Sequence, residues 1–204
     1  MTMIDIKQSK SDWEQEYKNG CWQYLYDRGE SPRYAVVADL IRRHPGPISL
    51  LDVGGGEGVI LKYLQLENVR RYVGLDLAQT ALDRIVPRRS QDRYICSSLE
   101  AYAPDETWDV VLFGEVLYYM NDPVEELRKF ESSLKDDGFF VVSMHQKRKW
   151  YAYGNRCTRQ LKRYFAAHYT VLEQVDIIRH DNGSVAWKMF AVSPRRRSGE
   201  QIIQ

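Results

Sequence analysis

The chain reads as an α/β protein built on a doubly wound, mostly parallel sheet. Three observations predict this. Apolar runs of strand length alternate with segments of helical periodicity, the first such run ends in a glycine-spaced turn, and the chain closes on two strand-like runs separated by a hairpin signal. The first helical signal is Ser31-Pro32, a capping hydroxyl with proline in the first turn. It leads into Val36, Val37, Leu40 and Ile41 on one face until Pro45-Gly46-Pro47 stops the chain. Strands are then expected at Ile48 to Val53, Tyr72 to Leu75, Arg93 to Cys96, Val110 to Phe113 and Phe139 to Met144, with helices near Val59 to Leu66, Ala78 to Ile85 and Val124 to Leu134. In the last of these, Asp122 caps, Pro123 opens, Glu125 and Glu126 complement the helix dipole, and Val124, Leu127, Phe130 and Leu134 recur at helical spacing. Thr170 to Ile178 and Val185 to Val192 flank Asp181-Asn182-Gly183-Ser184, so an antiparallel pair should close the sheet, and a polar tail follows from Pro194.

The run Leu50-Leu51-Asp52-Val53-Gly54-Gly55-Gly56-Glu57-Gly58 carries the chemistry. Glycine at Gly54, Gly56 and Gly58 permits positive φ and lets backbone N–H groups approach a bound molecule. A dinucleotide fold wants G-x-G-x-x-G, but here the third glycine comes one residue early and Val59 holds the expected position. What stands is D-x-G-x-G-x-G, which resembles motif I of the class I S-adenosylmethionine-dependent methyltransferases. The resemblance runs from about Trp13 to Val192. Arg71-Tyr72-Val73-Gly74-Leu75-Asp76 is similar to the family's second strand with its terminal acid, Ser97-Ser98-Leu99-Glu100 to its adenine-side segment, and Trp108 to Glu115 to its fourth strand and following loop.

The resemblance implies a Rossmann-like, seven-stranded sheet whose seventh strand lies antiparallel between the fifth and sixth, and S-adenosylmethionine as cofactor, leaving S-adenosylhomocysteine as product. Asp52, Gly54, Gly56, Gly58 and Gly114 would face the cofactor. Asp76 with Leu77 would hold the ribose, and Ser98 with Leu99 the adenine. Arg33, in the helix before motif I, would bind the cofactor carboxylate through its planar fork. Methyl transfer from a sulfonium is a direct displacement that needs alignment, exclusion of water and an unprotonated acceptor, but no covalent nucleophile or metal. The acceptor should meet Glu115, Tyr118, Tyr119 and His145, which follow strands four and five at the carboxyl edge of the sheet. If their loop is extended, one of Tyr118 and Tyr119 should point inward while the other packs against the helix Val124 to Leu134, and His145 has a side chain suited to taking a proton near neutral pH. Lys147 to Tyr153, basic and aromatic, resembles a loop over the acceptor mouth.

Gly114-Glu115-Val116-Leu117-Tyr118-Tyr119, Glu30-Ser31-Pro32-Arg33-Tyr34 and Asn182 to Trp187 are similar to a bacterial branch that includes nodulation-factor N-methyltransferases and enzymes of surface glycans or secondary metabolites. The cysteine common in motif I is Gly55 here. The Pro-Pro element of enzymes that methylate nucleobase amino groups is absent, so a small sugar-like or amine-bearing acceptor is expected. The N-terminal stretch carries Trp13, Tyr17, Trp22, Tyr24, Tyr26 and Tyr34, read as a helical lid with one or two rings over the ligand.

Length and composition fit one domain, with residues 1–46 as the lid, 47–193 as the cofactor-binding core and 194–204 as the tail. The net charge of +1 and the scattered basic doublets do not make a nucleic-acid stripe. Cys21, Cys96 and Cys157 lack disulfide arithmetic or metal-ligand spacing, and no secretory or membrane-spanning run is present. A soluble cytoplasmic enzyme, monomeric or homodimeric, with a small-molecule acceptor is the expectation. The alternatives are a nicotinamide oxidoreductase, an RNA methyltransferase or a non-catalytic S-adenosylmethionine-binding protein.

Overall fold

A computed structural model describes residues 9–146, 153–178 and 186–195. Seven strands form one sheet: β1 (Ile48–Val53), β2 (Val69–Asp76), β3 (Arg93–Cys96), β4 (Trp108–Gly114), β5 (Leu134–Gln146), β6 (Tyr169–Ile178) and β7 (Ala186–Pro194). Their order is β3-β2-β1-β4-β5-β7-β6. The first five are parallel, and β7 runs antiparallel to both β5 and β6. This is the class I methyltransferase architecture that the glycine motif and the terminal strand pair predict. The predicted turn at residues 181–184 and the loop at residues 147–152 lie outside the described residues.

Strands β1 and β4 are apolar on both faces because both faces are covered. Alternate residues serve opposite cores. Leu51, Val53, Val111 and Phe113 pack with Phe130, Leu161 and Phe165 on one side. Leu50, Val110 and Leu112 pack with Val37, Leu40 and Ile41 of α2 (Ser31–Ile41) on the other. A one-residue slip would exchange the two sets, so the register is strongly specified.

Helices depart from expectation more than strands do. The segment Val59 to Leu66 is not an α-helix but two short 3-10 turns, Val59–Lys62 and Leu66–Asn68. Gly58 at φ 65° starts the first turn, Leu61 N–H returns to the Gly58 carbonyl, and the β-branched pair Val59-Ile60 is buried as a wedge. Helix α3 covers only Gln79–Asp83 of the expected Ala78 to Ile85. Helix α4 spans Pro123–Arg128, after which the Ser133 hydroxyl donates to the Phe130 carbonyl in a 3-10 turn and Leu134 already opens β5. Helix α1 (Lys10–Lys18) lies in the stretch expected to be a helical lid, whereas α5 (Tyr153–His168), which buries Cys157, Leu161 and Phe165 at four-residue spacing, was not anticipated. The expected polar tail begins tied down, since Arg195 N–H donates to the His168 carbonyl.

At the amino edge of the sheet, Asp109 accepts from Ser49 N–H and Oγ, Arg70 and Lys135 at 2.7–3.0 Å. Burial pushes this carboxyl up, but those donors outweigh it and hold it well below the usual carboxylate range. Its stabilisation is therefore complete above about pH 4 and lost as pH falls further. Asp109→Ala leaves a buried Ser49 N–H without its acceptor and removes the carboxylate that Arg70 and Lys135 share, and is expected to cost about 2–3 kcal/mol in urea unfolding.

Candidate functional site

The sheet reverses its direction of winding between β1 and β4, and in open α/β folds the ligand crevice lies outside the carboxyl ends of the strands at such a switch point. A cavity of about 1130 Å³ sits there, room for two ligands side by side. Its floor is the turn after β1. Gly54 and Gly56 adopt φ 69° and 54°, and the N–H groups of Gly54 and Gly55 both donate to the Leu75 carbonyl, which pins the turn to β2. A Cβ on Gly54 would stand 2.7 Å from the Val116 side chain, and one on Gly56 would stand 2.7 Å from the Tyr17 hydroxyl. Gly55, where related motifs carry cysteine, has no such latitude here: its Cβ would lie 2.7 Å from Asp52 Oδ2. Gly58 lies away from the cavity, and its left-handed backbone instead allows close packing on Ile85.

Asp52 is buried under this floor and lines the cavity, its Oδ2 accepting from the Tyr72 hydroxyl at 2.8 Å. Burial pushes its carboxyl up to about 7, against the Tyr72 hydrogen bond and assisted by the nearby charge of Asp76. Asp76 ends β2, and its two oxygens accept from Gly56 N–H at 2.8 Å and Ala78 N–H at 2.9 Å. Burial raises this carboxyl too, against those backbone donors. Leu77, Ser98 and Leu99 line the same end of the cavity, with Ser98 Oγ accepting from Ala101 N–H and the Leu99 carbonyl from Lys129.

The opposite end is built from β4, β5 and the N-terminal segment. Gly114 opens it, with only Leu112 at 4.0 Å from where a Cβ would be. Glu115 follows at φ 62°, an unusual conformation for a side-chain-bearing residue that costs about 1 kcal/mol or more. Its main-chain N–H donates to the Ser143 carbonyl, and its carboxylate accepts from the Ser143 hydroxyl (2.5 Å), His145 N–H (2.7 Å) and the Tyr118 hydroxyl (3.4 Å). Tyr118 and Tyr119 both face the cavity, their rings 4.6 Å apart, so the expected inward–outward division does not hold. The reason is local: both sit in a 3-10 turn, Leu117–Tyr119, and it is Leu117 that enters the core. His145 lines the cavity with its ring against Trp187. Arg33 is nearly fully buried there, paired to Glu30 at 3.2 Å and stacked on the Tyr34 ring at 4.1 Å.

The N-terminal segment covers the opening. Trp13 stacks on Trp22 at 5.5 Å and meets Tyr119 edge-on at 5.1 Å, while Tyr17 and Tyr24 flank Trp22 at 5.9 Å each. Three carboxylates hold this cover in place or orient it. Glu14 of α1 accepts from Gln79 N–H, Thr80 N–H and Thr80 Oγ1, capping α3 from outside. Glu57, inside the glycine turn, accepts from Tyr26 (2.7 Å) and Arg84 (2.8 Å), and Arg84 also donates to the Tyr17 carbonyl. Glu30 completes the set through Arg33.

Glu14, Glu30, Glu57 and Ser143 were not singled out from sequence. Only Glu30 had a readable signal, its three-residue spacing from Arg33 on a helix; the others act through tertiary contacts. Among the described residues, the one cluster with metal-ligand chemistry is His44, Asp109 and Asp137, at the other edge of the sheet. There Lys135 and Arg70 already neutralise Asp109.

A family model described as a methyltransferase domain matches residues 24–183. Among curated proteins, the mitochondrial arginine-hydroxylase NDUFAF5 of Homo sapiens is 25% identical over 196 residues, a match covering 92% of this chain and 55% of that protein. The chain thus spans about half the length of the curated relatives it first matches. Among solved structures, the N-methyltransferase NodS from Bradyrhizobium japonicum WM9, in complex with S-adenosylhomocysteine, superposes with a TM-score of 0.69 at 16% identity, covering 87% of this chain and 97% of that one. The 1,6-didemethyltoxoflavin-N1-methyltransferase of Burkholderia thailandensis, with 1,6-didemethyltoxoflavin and S-adenosylhomocysteine bound, gives 0.68 at 20% identity, covering 91% and 87%. At these identities the structural likeness is one of fold.

Proposed function

The chain belongs to the methyltransferase-domain family, and from that premise we propose that it is an S-adenosylmethionine-dependent N-methyltransferase acting on a small amine-bearing acceptor. The observation that carries the acceptor class is the composition of the cavity's far end. There the Glu115 carboxylate stands among the rings of Trp13, Trp22, Tyr24 and Tyr119, with Glu30 balancing Arg33, surroundings that favour a cationic amine over a neutral hydroxyl.

The floor fits the cofactor, because a Cβ at Gly54 or Gly56 would fill the cradle and Asp76 keeps acceptor sites beyond the two backbone N–H groups it already serves. Asp76 would take the ribose hydroxyls, Ser98 and Leu99 the adenine, Arg33 the carboxylate, and Asp52 with Gly114 the amino-acid end. When bound, the cofactor supplies an electrophilic methyl group on a sulfonium. Everything else falls to this chain. The aromatic cover excludes water, Glu115 orients the acceptor nitrogen, and the His145 imidazole takes the proton that the amine must lose before it can attack. Glu115 is a positioning carboxylate because its oxygens already accept three hydrogen bonds.

Asp52 makes the reading pH-sensitive. A cationic group of the ligand favours its ionised form, so S-adenosylhomocysteine affinity is expected to rise with pH through about 7 and binding below that pH to release a proton. Calorimetry in buffers of different ionisation enthalpy reads this directly, and Asp52→Asn should remove the dependence. The sign for the ligand-free fold is opposite: its stability declines as pH rises from about 4 to 7, because the unfolded carboxyl ionises first.

Arginine hydroxylation, the activity in the name of the curated relatives, is a second reading, favoured by a match that covers 92% of this chain. Incubation with methyl-labelled S-adenosylmethionine and a fractionated host extract separates the two. Label in a small amine product supports methyl transfer; a modified acceptor without label would overturn it.

A further inference from the structure

At the amino edge of the sheet the pairing of β4 with β5 is interrupted at Asp109. Trp108 pairs with Leu134 and Val110 with Phe139, so residues 135–138 of β5 bulge opposite that single residue. Gly138 lets the bulge close on β4, since a Cβ there would stand 2.8 Å from the Trp108 carbonyl oxygen. The bulge brings Lys135 and Asp137 to Asp109, and His44, in the turn between α2 and β1, completes the group.

The His44 side chain is only 7% exposed, and its Nε2 makes no hydrogen bond. It stands 3.5 Å from Asp109 Oδ1 and 3.5 Å from Asp137 Oδ2, too far for a good hydrogen bond to either. That spacing suits two ligands on one edge of a zinc tetrahedron, where bonds of about 2.0–2.2 Å put nitrogen and oxygen about 3.4 Å apart. The three ligand atoms lie within 4.8 Å of one another, and the exposed Asp137 side chain is free to turn and close the remaining edge.

The surrounding contacts suit ligation. Ser49 N–H, Ser49 Oγ and Arg70 donate to Asp109 Oδ2, and Lys135 reaches Oδ2 at 2.9 Å as well as Oδ1 at 3.0 Å. The donors that balance Asp109 thus converge on Oδ2, whereas Oδ1, with a second lone pair to give, is the oxygen that faces His44. Across the ring, Nδ1 lies 3.1 Å from the Gly46 carbonyl, and the tautomer that donates there puts the lone pair on Nε2. Asp137 brings the further negative charge that a divalent cation favours. One imidazole with two carboxylates suits zinc better than magnesium, which prefers an octahedral oxygen shell made largely of water.

We propose that His44 Nε2, Asp109 Oδ1 and Asp137 Oδ2 bind a zinc ion, with its fourth position open to solvent beside Asp137. The ion clips the entry of β1 to β4 and β5 at the end of the sheet opposite the cavity, so it serves stability and is independent of how the cavity is used.

The test titrates the tag-free, chelator-treated full chain with zinc sulfate by calorimetry, beside magnesium sulfate and the variants His44→Ala and Asp137→Asn. Asp137 is exposed, so its variant reports on the site even if His44→Ala folds poorly. The expected result is one-to-one zinc binding, micromolar or tighter, weakened at least tenfold in each folded variant, with no heat from magnesium. A hundredfold excess of zinc over its Kd should raise the wild-type melting temperature by about 5 °C. Cobalt in place of zinc should give the visible bands of a tetrahedral nitrogen–oxygen site. Absent zinc binding by folded protein, equal binding by Asp137→Asn, or a thiolate charge-transfer band placing the metal on a cysteine would overturn the proposal.

Discussion

Asp76→Ala is expected to weaken S-adenosylhomocysteine binding by two to three orders of magnitude. The carboxylate ends β2 at the cavity wall with both oxygens already aligned by Gly56 and Ala78 N–H, so it is pre-ordered to receive two ribose hydroxyls. Hydrogen bonds to a charged group are worth about 1.5–3 kcal/mol each, and two of them account for a loss of about 3–4 kcal/mol. The substitution also releases the Gly56 N–H, which loosens the glycine turn itself. Asp76→Asn keeps one acceptor oxygen and should fall between wild type and alanine. Calorimetry measures both, with circular dichroism confirming that the sheet remains. An alanine variant that binds within threefold of wild type would remove Asp76 from the site.

Glu115→Ala is expected to lower turnover about 100-fold, which corresponds to about 2.7 kcal/mol in the barrier, while leaving S-adenosylhomocysteine affinity comparatively unchanged. The physical reason is that Glu115 is a hub. It is held at φ 62° by its N–H on the Ser143 carbonyl, and its carboxylate joins the Ser143 hydroxyl, the His145 main chain and Tyr118 into one wall. Removing it deprives His145 N–H of its acceptor and lets the acceptor-facing wall drift, and small misplacements are costly in displacement chemistry. Glu115→Gln retains an oxygen for His145 N–H and presents an amide to Ser143, whose hydroxyl can turn to accept. It should keep much of the geometry, lose the charge and fall only about tenfold. Steady-state kinetics with equilibrium binding separates the two effects. Equal turnover for wild type and alanine would leave Glu115 a turn residue only.

The centre of the sheet was legible in sequence because β1 and β4 are buried on both faces. Runs such as Leu50-Leu51-Asp52-Val53 and Val110-Val111-Leu112-Phe113 have no solvent face to interrupt them, and the glycines after β1 have a steric meaning independent of context. Helices were harder for opposite reasons. Val59-Ile60-Leu61 looked helical but is a 3-10 wedge, because Gly58 and the crowding of β-branched side chains tighten it. Helix α5 was missed because its apolar stripe of Cys157, Leu161 and Phe165 is thin and embedded in cationic residues. Helix α1 did carry a signal: Ser9 and Asp12 form a reciprocal capping box, followed by Trp13 and Tyr17 four residues apart.

The candidate site divides the same way. Asp52, Gly54, Gly56, Asp76, Ser98, Gly114 and His145 are brought to one cavity by strand ends whose positions the pattern predicts. The network that orders them, Ser143 on Glu115, Glu57 on Tyr26 and Arg84, and Glu14 on α3, joins residues 27 to 66 positions apart. No local periodicity encodes such pairs.

The most direct test of the account is a calorimetric titration of the full chain with S-adenosylhomocysteine, run beside an identical titration with NAD. The account predicts micromolar or tighter one-to-one binding of S-adenosylhomocysteine, strengthening as pH rises through about 7, and no heat from NAD. Binding of NAD alone, or no binding of S-adenosylhomocysteine by folded protein, would contradict it.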